Sequence, residues 1–191
     1  TGPGFRLHSD IVAPYILHYG SEEQKRSLLP RMARGEIVTA IAMTEPSGGS
    51  DLAALKTSAV RDGEGWVVNG SKTFITNGYQ ADLVIVAART DPSKGAKGIT
   101  LLMVEAGMEG FSRGRKLDKV GQEEADTSEL FFEDVRVPDA NRLGEEGLGF
   151  IAMMQRLPQE RIGAAVANTA HAFQIFRETV EYTKERKAFG Q

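Results

Sequence analysis

The sequence of 191 residues contains no cysteine and only three histidines. Without thiols the chain has no disulfide framework, no thiolate nucleophile and no sulfur ligand for zinc. His8, His18 and His171 have no second ligand at the spacing of a metal site, so surface or helix-packing roles are expected and no metal site is predicted. Redox chemistry would therefore have to come from a bound cofactor.

The chain also lacks a strong excess of charge and any long apolar run. Its formal net charge is −3, and no stripe of Lys and Arg is interleaved with aromatic residues, so nothing favours a nucleic-acid partner. No apolar run approaches the roughly 20 residues that span a bilayer. The N-terminus lacks the pattern of a signal peptide. A bacterial cytoplasmic or mitochondrial-matrix setting fits these features.

Residues 1–36 have the pattern of helices. Ser9 and Asp10 are predicted to cap one helix, and Ser21, followed by acidic residues, is predicted to begin another. The second helix is expected to end near Gly35. So short a helical segment cannot bury its own apolar face and must pack on another part of the molecule.

Between residues 37 and 138 the apolar period changes to two. Strands are predicted at 37–43, 56–61, 65–76, 82–89, 98–105 and 128–137, separated by Gly, Asn, Asp and Pro. Asn69-Gly70 lies inside one of these runs and predicts a tight hairpin there. Several short strands with regular turns favour a β-barrel or sandwich, and the absence of β-α alternation disfavours a doubly wound fold.

From Gly149 onward the pattern is helical again. One helix is predicted to begin near Phe150, and Pro158 is placed in the first turn of a second helix. An apolar face recurs over five turns of that helix, at Ile162, Val166, Phe173, Phe176 and Val180. The predicted fold class is thus α+β: a central antiparallel β-barrel or sandwich (37–140) between helical segments at 1–36 and 141–191.

Three segments can carry chemistry. The loop 44–51, Thr-Glu-Pro-Ser-Gly-Gly-Ser-Asp, follows a strand and combines flexible glycines with hydroxyl donors, as in a ligand cradle. Residues 74–78 place an aromatic ring beside a hydroxyl, which suits a flavin ring. In 157–161 a carboxylate precedes a guanidinium, and an enclosed carboxylate of this kind suits a general base.

Each segment also has a plainer interpretation when taken alone. The loop can be a Gly-rich turn in which Ser50 and Asp51 cap a short helix. Phe74 can be a core residue at a strand end. Glu160 can be a first-turn glutamate favoured by the helix dipole, next to an exposed Arg161.

Taken together, the motifs resemble those of the acyl-CoA dehydrogenase family. The resemblance rests on 44–51, on 69–78 (Asn-Gly-Ser-Lys-Thr-Phe-Ile-Thr-Asn-Gly), on Gly121-Gln122, on 132–138 (Phe-Glu-Asp-Val-Arg-Val-Pro) and on 185–190 (Glu-Arg-Lys-Ala-Phe-Gly), in the family's order. It implies an N-terminal helical domain, a middle β-barrel and a C-terminal four-helix bundle, usually in a homotetramer. It further implies that this chain begins in the last helices of the first domain and stops in the first helix of the third.

The resemblance also implies site residues for FAD and an acyl-CoA substrate. Ser50 matches a serine at the pantetheine arm of the substrate and is expected at the flavin site too. Phe74 stands where the family usually has Trp, which keeps an aromatic face but loses the indole N–H. Arg186 and Phe189 match residues that reach the FAD of a neighbouring subunit. The remaining implied flavin contacts are Ile41, Met43, Thr44, Ile75 and Thr76.

The reaction implied by the resemblance is α,β-dehydrogenation of an acyl-CoA thioester in fatty acid β-oxidation, with electrons passed to an electron-transfer flavoprotein. Glu160 matches the catalytic base of the long-chain and isovaleryl subset, and Gln159 and Arg161 match substrate contacts. The alternatives are a base in a later segment of the family's C-terminal bundle, an oxidase or monooxygenase that uses oxygen, and a fragment without activity. Acyl chain length and branching are not fixed by these motifs.

Overall fold

A computed structural model describes residues 4–190. A π-helical segment, Leu7–Val12, continues into α1 (Ala13–Tyr19), and α2 (Glu22–Ala33) follows. The strands are β1 (Thr39–Ala42), β2 (Ser58–Asp62), β3 (Gly65–Thr76), β4 (Leu83–Arg89), β5 (Ile99–Glu105), β6 (Phe111–Lys116), β7 (Thr127–Pro138) and β8 (Arg142–Leu143). Short 3-10 segments lie at Leu52–Ala54, Pro92–Gly98 and Asp139–Asn141, and α3 (Gly149–Glu185) ends the fold.

The backbone divides into two units, Thr1–Gln155 and Arg156–Gln191, of which 1–3 and 191 lie outside the described residues. The first unit contains all eight strands. The second is the remainder of α3 with the residues that follow it, and its Ile162, Val166, Phe173 and Phe176 are each about two-thirds exposed. Among residues 4–190, no helix combines the length and the apolarity needed to cross a membrane.

The strands form one mixed sheet in the order β6-β7-β3-β2-β4-β5-β8, with β1 paired to β4. Most pairs are antiparallel, as predicted, whereas β1 and β2 both run parallel to β4 along the same edge. Within the described residues no pairing joins β6 to β8, so the sheet is barrel-like without being closed. The α+β prediction with a central β-barrel or sandwich is confirmed.

Strands β4 and β5 are buried on both faces, which makes the sheet the middle layer of the first unit. Leu83, Ile85 and Ala87 face a core shared with the N-terminal helices, because alternate residues of a strand point to opposite sides. Val84 and Val86 face a second core, which contains Trp66 and residues of β3 and β7. The N-terminal helices therefore pack on the outside of the sheet, as their short apolar stripe required.

The N-terminal helices differ in part from the prediction. Ser21 does cap α2, since its hydroxyl accepts from the Gln24 N–H at 3.1 Å while the Gln24 side chain accepts from the Ser21 N–H. The predicted cap at Ser9 and Asp10 is wrong, because the helix is already wound before them and Asp10 pairs with Arg6 one turn earlier. His8 has a helix-packing role.

His8 connects these helices to the sheet. Its Nδ1 accepts from the Thr39 N–H at 3.2 Å, which leaves Nε2 as the donor to the Met32 carbonyl at 3.2 Å. The start of β1 is thereby fixed against α2.

The prediction of a hairpin at Asn69-Gly70 is wrong. β3 runs unbroken through both residues. The hairpin lies before β3, where the turn that contains Gly63 (φ 60°) joins β2 to β3. The dipeptide marks an irregularity in the pairing of β3 with β7 instead.

Two strands were not predicted, and one helix boundary was wrong. β6 has a polar, mostly exposed edge-strand sequence, and β8 has only two residues, so neither shows a clear alternation. Pro158 lies inside α3 rather than at the start of a second helix. A proline keeps helical φ and removes one hydrogen bond, a loss that a helix of 37 residues tolerates because its many other bonds form cooperatively.

Candidate functional site

The loop after β1 begins with a tight turn. Glu45 and Gly48 exchange two backbone hydrogen bonds, each 3.0 Å between nitrogen and oxygen. A side chain on Gly49 would approach the Thr44 methyl group to 3.1 Å, so this position favours glycine. Asp51 stands at the N-terminal end of the Leu52–Ala54 turn, but its side chain makes no capping hydrogen bond there, which removes the support for a simple capping role.

A buried ion pair anchors this turn. Lys72 Nζ lies 2.9 Å from Glu45 Oε1, and their side chains are 0% and 4% exposed. Lys72 Nζ also donates to the Met43 carbonyl at 3.1 Å. The Glu45 carboxylate accepts from the backbone N–H groups of Lys56 at 2.6 Å and Thr57 at 2.9 Å. Both residues lie in the quoted motifs, yet sequence reasoning gave neither a role, because nothing in the spacing shows that they meet.

The surroundings shift the titration of both partners. Burial raises the pKa of Glu45, but the hydrogen bonds from Thr57, Lys56 and Lys72 outweigh it and bring the pKa down to about 2. Burial lowers the pKa of Lys72 to about 8, against the opposing effect of Glu45. The carboxylate is thus firmly ionised at neutral pH.

The end of β3 lies beside the loop. The Thr73 N–H donates to the Thr44 carbonyl at 3.0 Å, which brings the segments 43–51 and 73–76 together. The pairing of β3 with β7 is irregular between Lys72 and Ile75, as in a β-bulge. Phe74 adopts a left-handed conformation (φ 59°) in this bulge, and the residue is 67% exposed.

Phe74 is therefore not the core residue of the plainer interpretation. Its neighbour Ile75 is buried at 3% exposure, whereas Thr76 and Thr44 are half-buried. A bulky side chain with positive φ is strained, and such strain in structures concentrates at functional sites.

The turn after Thr76 is held by two residues that sequence reasoning missed. Asn77 (φ 62°) is buried and donates from its side chain to the Thr39 carbonyl at 3.3 Å. Asp126 accepts from the Tyr79 N–H at 2.6 Å and from the Gln80 N–H at 3.2 Å. Their only sequence signal was the turn-forming pair Asn77-Gly78.

The other predicted residues differ in their exposure. Ile41, a residue of β1, is buried in the core that the sheet shares with the N-terminal helices, and Met43 is half-buried against the same core. Ser50 is exposed on the loop. In the second unit, Glu160 is half-buried and Arg161 is exposed, in agreement with their divergence by about 100° around a helix.

The helix-dipole argument for Glu160 is wrong. Because α3 begins at Gly149, Glu160 lies in its interior, beyond the first turn in which the dipole acts. Gln159 lies on the same stretch and is exposed.

Arg186 and Phe189 follow the end of α3. Arg186 Nη1 donates to the Tyr182 hydroxyl at 2.8 Å. Phe189 is fully exposed, with φ 53°. The structure thus leaves these two side chains at an open helix end, and their roles stay predictions.

Comparison with known proteins identifies the class. The models of the acyl-CoA dehydrogenase N-terminal, middle and C-terminal domains match residues 1–36, 40–135 and 147–191. The chain belongs to the acyl-CoA dehydrogenase family. The predicted domain limits 1–36, 37–140 and 141–191 stay predictions.

Individual relatives agree with this assignment. The chain is 54% identical over 193 residues to the mitochondrial long-chain specific acyl-CoA dehydrogenase of Sus scrofa, covering all of this chain and 45% of that one. An acyl-CoA dehydrogenase structure from Geobacillus kaustophilus superimposes with a TM-score of 0.94 at 55% identity, over 97% of this chain and 49% of that one.

A third match is a structure from work on the electron transferring flavoprotein of Acidaminococcus fermentans and flavin-based electron bifurcation. It has a TM-score of 0.92 and 43% identity, over 97% of this chain and 49% of that one. The chain thus spans about half the length of the relatives it matches.

Proposed function

We propose that the protein containing this chain is an FAD-dependent dehydrogenase that converts an acyl-CoA thioester to the trans-2-enoyl-CoA. The observation that carries the proposal is the exposed, left-handed Phe74 beside the turn at Glu45–Gly48. An isoalloxazine needs an apolar face and hydrogen bonds at its ring edge. The two joined segments offer an exposed aromatic ring at Phe74 and partly exposed hydroxyls at Thr44 and Thr76.

The residues of the first unit fit such a cofactor. Thr44 and Thr76 would hydrogen-bond the ring, while Phe74 and Ile75 would face it from β3. Ile41 in β1 and Met43, the residue that follows β1, would support it. Gly48 has open space where a side chain would stand, so the loop can approach a ligand closely. Ser50 would contact the flavin and the pantetheine arm of the substrate.

When bound, FAD supplies a hydride acceptor for the β-hydrogen of the substrate. The chain's own part is proton removal, for which we assign the Glu160 carboxylate, a half-buried group on α3. Arg161 would bind the CoA portion, and Gln159 would contact the substrate. The support for these roles is the match of 157–161 to the long-chain and isovaleryl subset of the family.

The same relatives support the proposed substrate and partners. The 54% identity to a long-chain specific enzyme favours a long acyl chain, in the mitochondrial matrix or the bacterial cytoplasm. The similarity to a structure from work on an electron transferring flavoprotein favours such a protein as the electron acceptor. Arg186 and Phe189, exposed at the end of α3, would contact the FAD of a neighbouring subunit in a homotetramer.

The deciding experiment uses the intact, flavin-loaded protein. Mixing it anaerobically with straight-chain acyl-CoA thioesters of increasing length should bleach the flavin absorption, fastest with long chains. Addition of an electron-transfer flavoprotein should then restore the colour. Absence of bleaching with every thioester would refute the proposal, and rapid recovery with oxygen alone would make the protein an oxidase.

A further inference from the structure

The ion pair of Lys72 and Glu45 is almost completely buried. Both side chains are almost inaccessible, whereas the Arg61–Asp139 pair of the same unit has side chains 47% and 34% exposed. Taking two charges out of water costs several kcal/mol per ion, and replacing a buried pair by apolar residues is often neutral or stabilising. Burial of this pair is therefore weak evidence for a role in stability alone. The geometry that it imposes gives it a second role.

That geometry fixes three consecutive backbone carbonyls. Lys72 Nζ donates to the Met43 oxygen at 3.1 Å. The Thr73 N–H donates to the Thr44 oxygen, and the Gly48 N–H to the Glu45 oxygen, both at 3.0 Å. The peptide planes on both sides of Thr44 are thus held in one orientation, which fixes the direction of the Thr44 side chain.

The same pair connects the two halves of the candidate flavin site. Glu45 belongs to the loop after β1, and Lys72 is the last regularly paired residue before the bulge that turns Phe74 outward. Through the Lys56 and Thr57 N–H groups, the Glu45 carboxylate also fixes the segment that leads into β2.

We propose that Lys72 and Glu45 are positioning residues for the flavin: they set the distance between Thr44 and the Phe74 bulge, and thereby the affinity and the electronic environment of the cofactor, without touching it. This inference rests on the proposed function, since it concerns the same FAD site. Glu45 and Lys72 belong to the segments 44–51 and 69–78, and neither is a direct flavin contact in the proposed site.

The test compares Lys72→Met with Arg61→Met in the intact protein. The first change removes the buried ammonium and its bonds to Glu45 and Met43. The second breaks the more exposed pairs of Arg61 with Asp139 and Glu146 and removes its guanidinium from the face of Trp66. For each variant, FAD is removed and its dissociation constant, the visible spectrum and midpoint potential of the rebound flavin, and the melting temperature are measured.

Lys72→Met should weaken FAD binding by about tenfold, because Thr44 and the Phe74 bulge lose their fixed spacing. It should also shift the flavin spectrum and potential. Arg61→Met should leave these flavin properties unchanged while lowering the melting temperature. Unchanged FAD affinity and spectrum in Lys72→Met, with only a lower melting temperature, would overturn the proposal.

Glu45→Gln provides a second test if Lys72→Met does not fold. It keeps the side-chain shape but removes the charge that holds Lys72. Weaker FAD binding and a shifted flavin spectrum in this variant would support the proposal, and unchanged flavin properties would overturn it. Failure of the unsubstituted protein to bind FAD would refute the proposed function itself. FAD binding that is indifferent to both substitutions would refute this inference alone.

Discussion

Asn69 and Asp134 close a ring of two hydrogen bonds between β3 and β7. The Asn69 side chain donates to Asp134 Oδ1 at 2.9 Å, and its oxygen accepts from the Asp134 N–H at 2.9 Å. Asp134 adopts a left-handed conformation (φ 52°) at this point. The asparagine that predicted a turn is instead a cross-strand connector, and it keeps β3 paired with β7 where the pairing is irregular.

Gly70, the next residue, provides the first prediction. It has φ 147°, and a Cβ there would lie 2.6 Å from Thr57 Oγ1 and 2.8 Å from Thr57 Cα. Gly70→Ala should lower the free energy of unfolding by about 3 kcal/mol, because left-handed strain adds to the clash with the backbone. The midpoint of chemical denaturation measures this loss.

Gly63→Ala is the matched control for that measurement. Gly63 also has positive φ (60°), but a Cβ there would have nothing within 4 Å. It should cost only about 1 kcal/mol of conformational strain. Equal losses in the two variants would show that the contact with Thr57 is unimportant.

Much of the fold follows from the sequence because one face or both faces of most strands are buried. The run of apolar residues in β4 reflects burial on both faces, and the alternation in β3 reflects burial on one face. The limits of β3 agree with the prediction at 65–76. β6 escaped prediction because an edge strand carries charges on both faces. The parallel pairing of β1 with β4 depends on the packing of the whole sheet, which no local pattern encodes.

The candidate site was predictable only where a motif contains it. The loop and the strand end were found from their glycines, hydroxyls and aromatic residue. The Lys72–Glu45 pair and the Asp126 anchor were missed, because their meaning lies in contacts between residues 27 and more positions apart. The outward turn of Phe74 results from a bulge, and a bulge has no reliable sequence signal when the residue is not glycine.

Phe74→Gly provides the second prediction. Glycine adopts φ 59° freely, so the relief of about 1 kcal/mol of strain offsets the larger entropy of glycine in the unfolded chain. The melting temperature of the FAD-free protein should thus change little, while FAD binding weakens because the aromatic face is lost.

Phe74→Trp is the companion variant for that experiment. It restores the residue usual in the family and keeps an aromatic face, so it should bind FAD about as well as the unsubstituted protein. Titration of each FAD-free variant with FAD gives the comparison. If Phe74→Gly binds FAD as tightly as Phe74→Trp, the ring has no part in the flavin site.

The pH dependence of stability provides the third prediction. The folded-state pKa of Glu45, about 2, lies below its ordinary value of 4.5. Its contribution to stability is therefore complete above pH 4.5 and is lost as the pH falls toward 2, because the unfolded chain then binds more protons. The contribution is on the order of 3 kcal/mol.

Glu45→Gln removes this titrating group. The denaturation midpoint is measured from pH 6 downward, because the pKa of Glu45 is 4.5 in the unfolded chain and about 2 in the folded protein. As the pH falls, this midpoint should decrease less steeply in Glu45→Gln than in the unsubstituted protein. Parallel curves for the two proteins would mean that Glu45 is not stabilised in its ionised form.

The base assignment provides the fourth prediction. Glu160→Gln preserves the size of the side chain and its place inside α3 but removes the proton acceptor. The rate of flavin reduction by acyl-CoA should fall by about a hundredfold or more, as expected for the loss of a general base. Flavin content should be unchanged. Glu181→Gln is the control: it lies on the same helix, where its carboxylate pairs with Lys184 at 2.8 Å.

The two variants separate catalysis from folding, because each removes one carboxylate from α3. A rate that falls in Glu160→Gln alone, with unchanged affinity for acyl-CoA, assigns proton removal to this helix. A rate that falls equally in both variants indicates damage to the helix rather than to the chemistry. An unchanged rate in Glu160→Gln refutes the assignment. The base would then lie in another segment of the protein, as in family members whose base lies later in the C-terminal bundle.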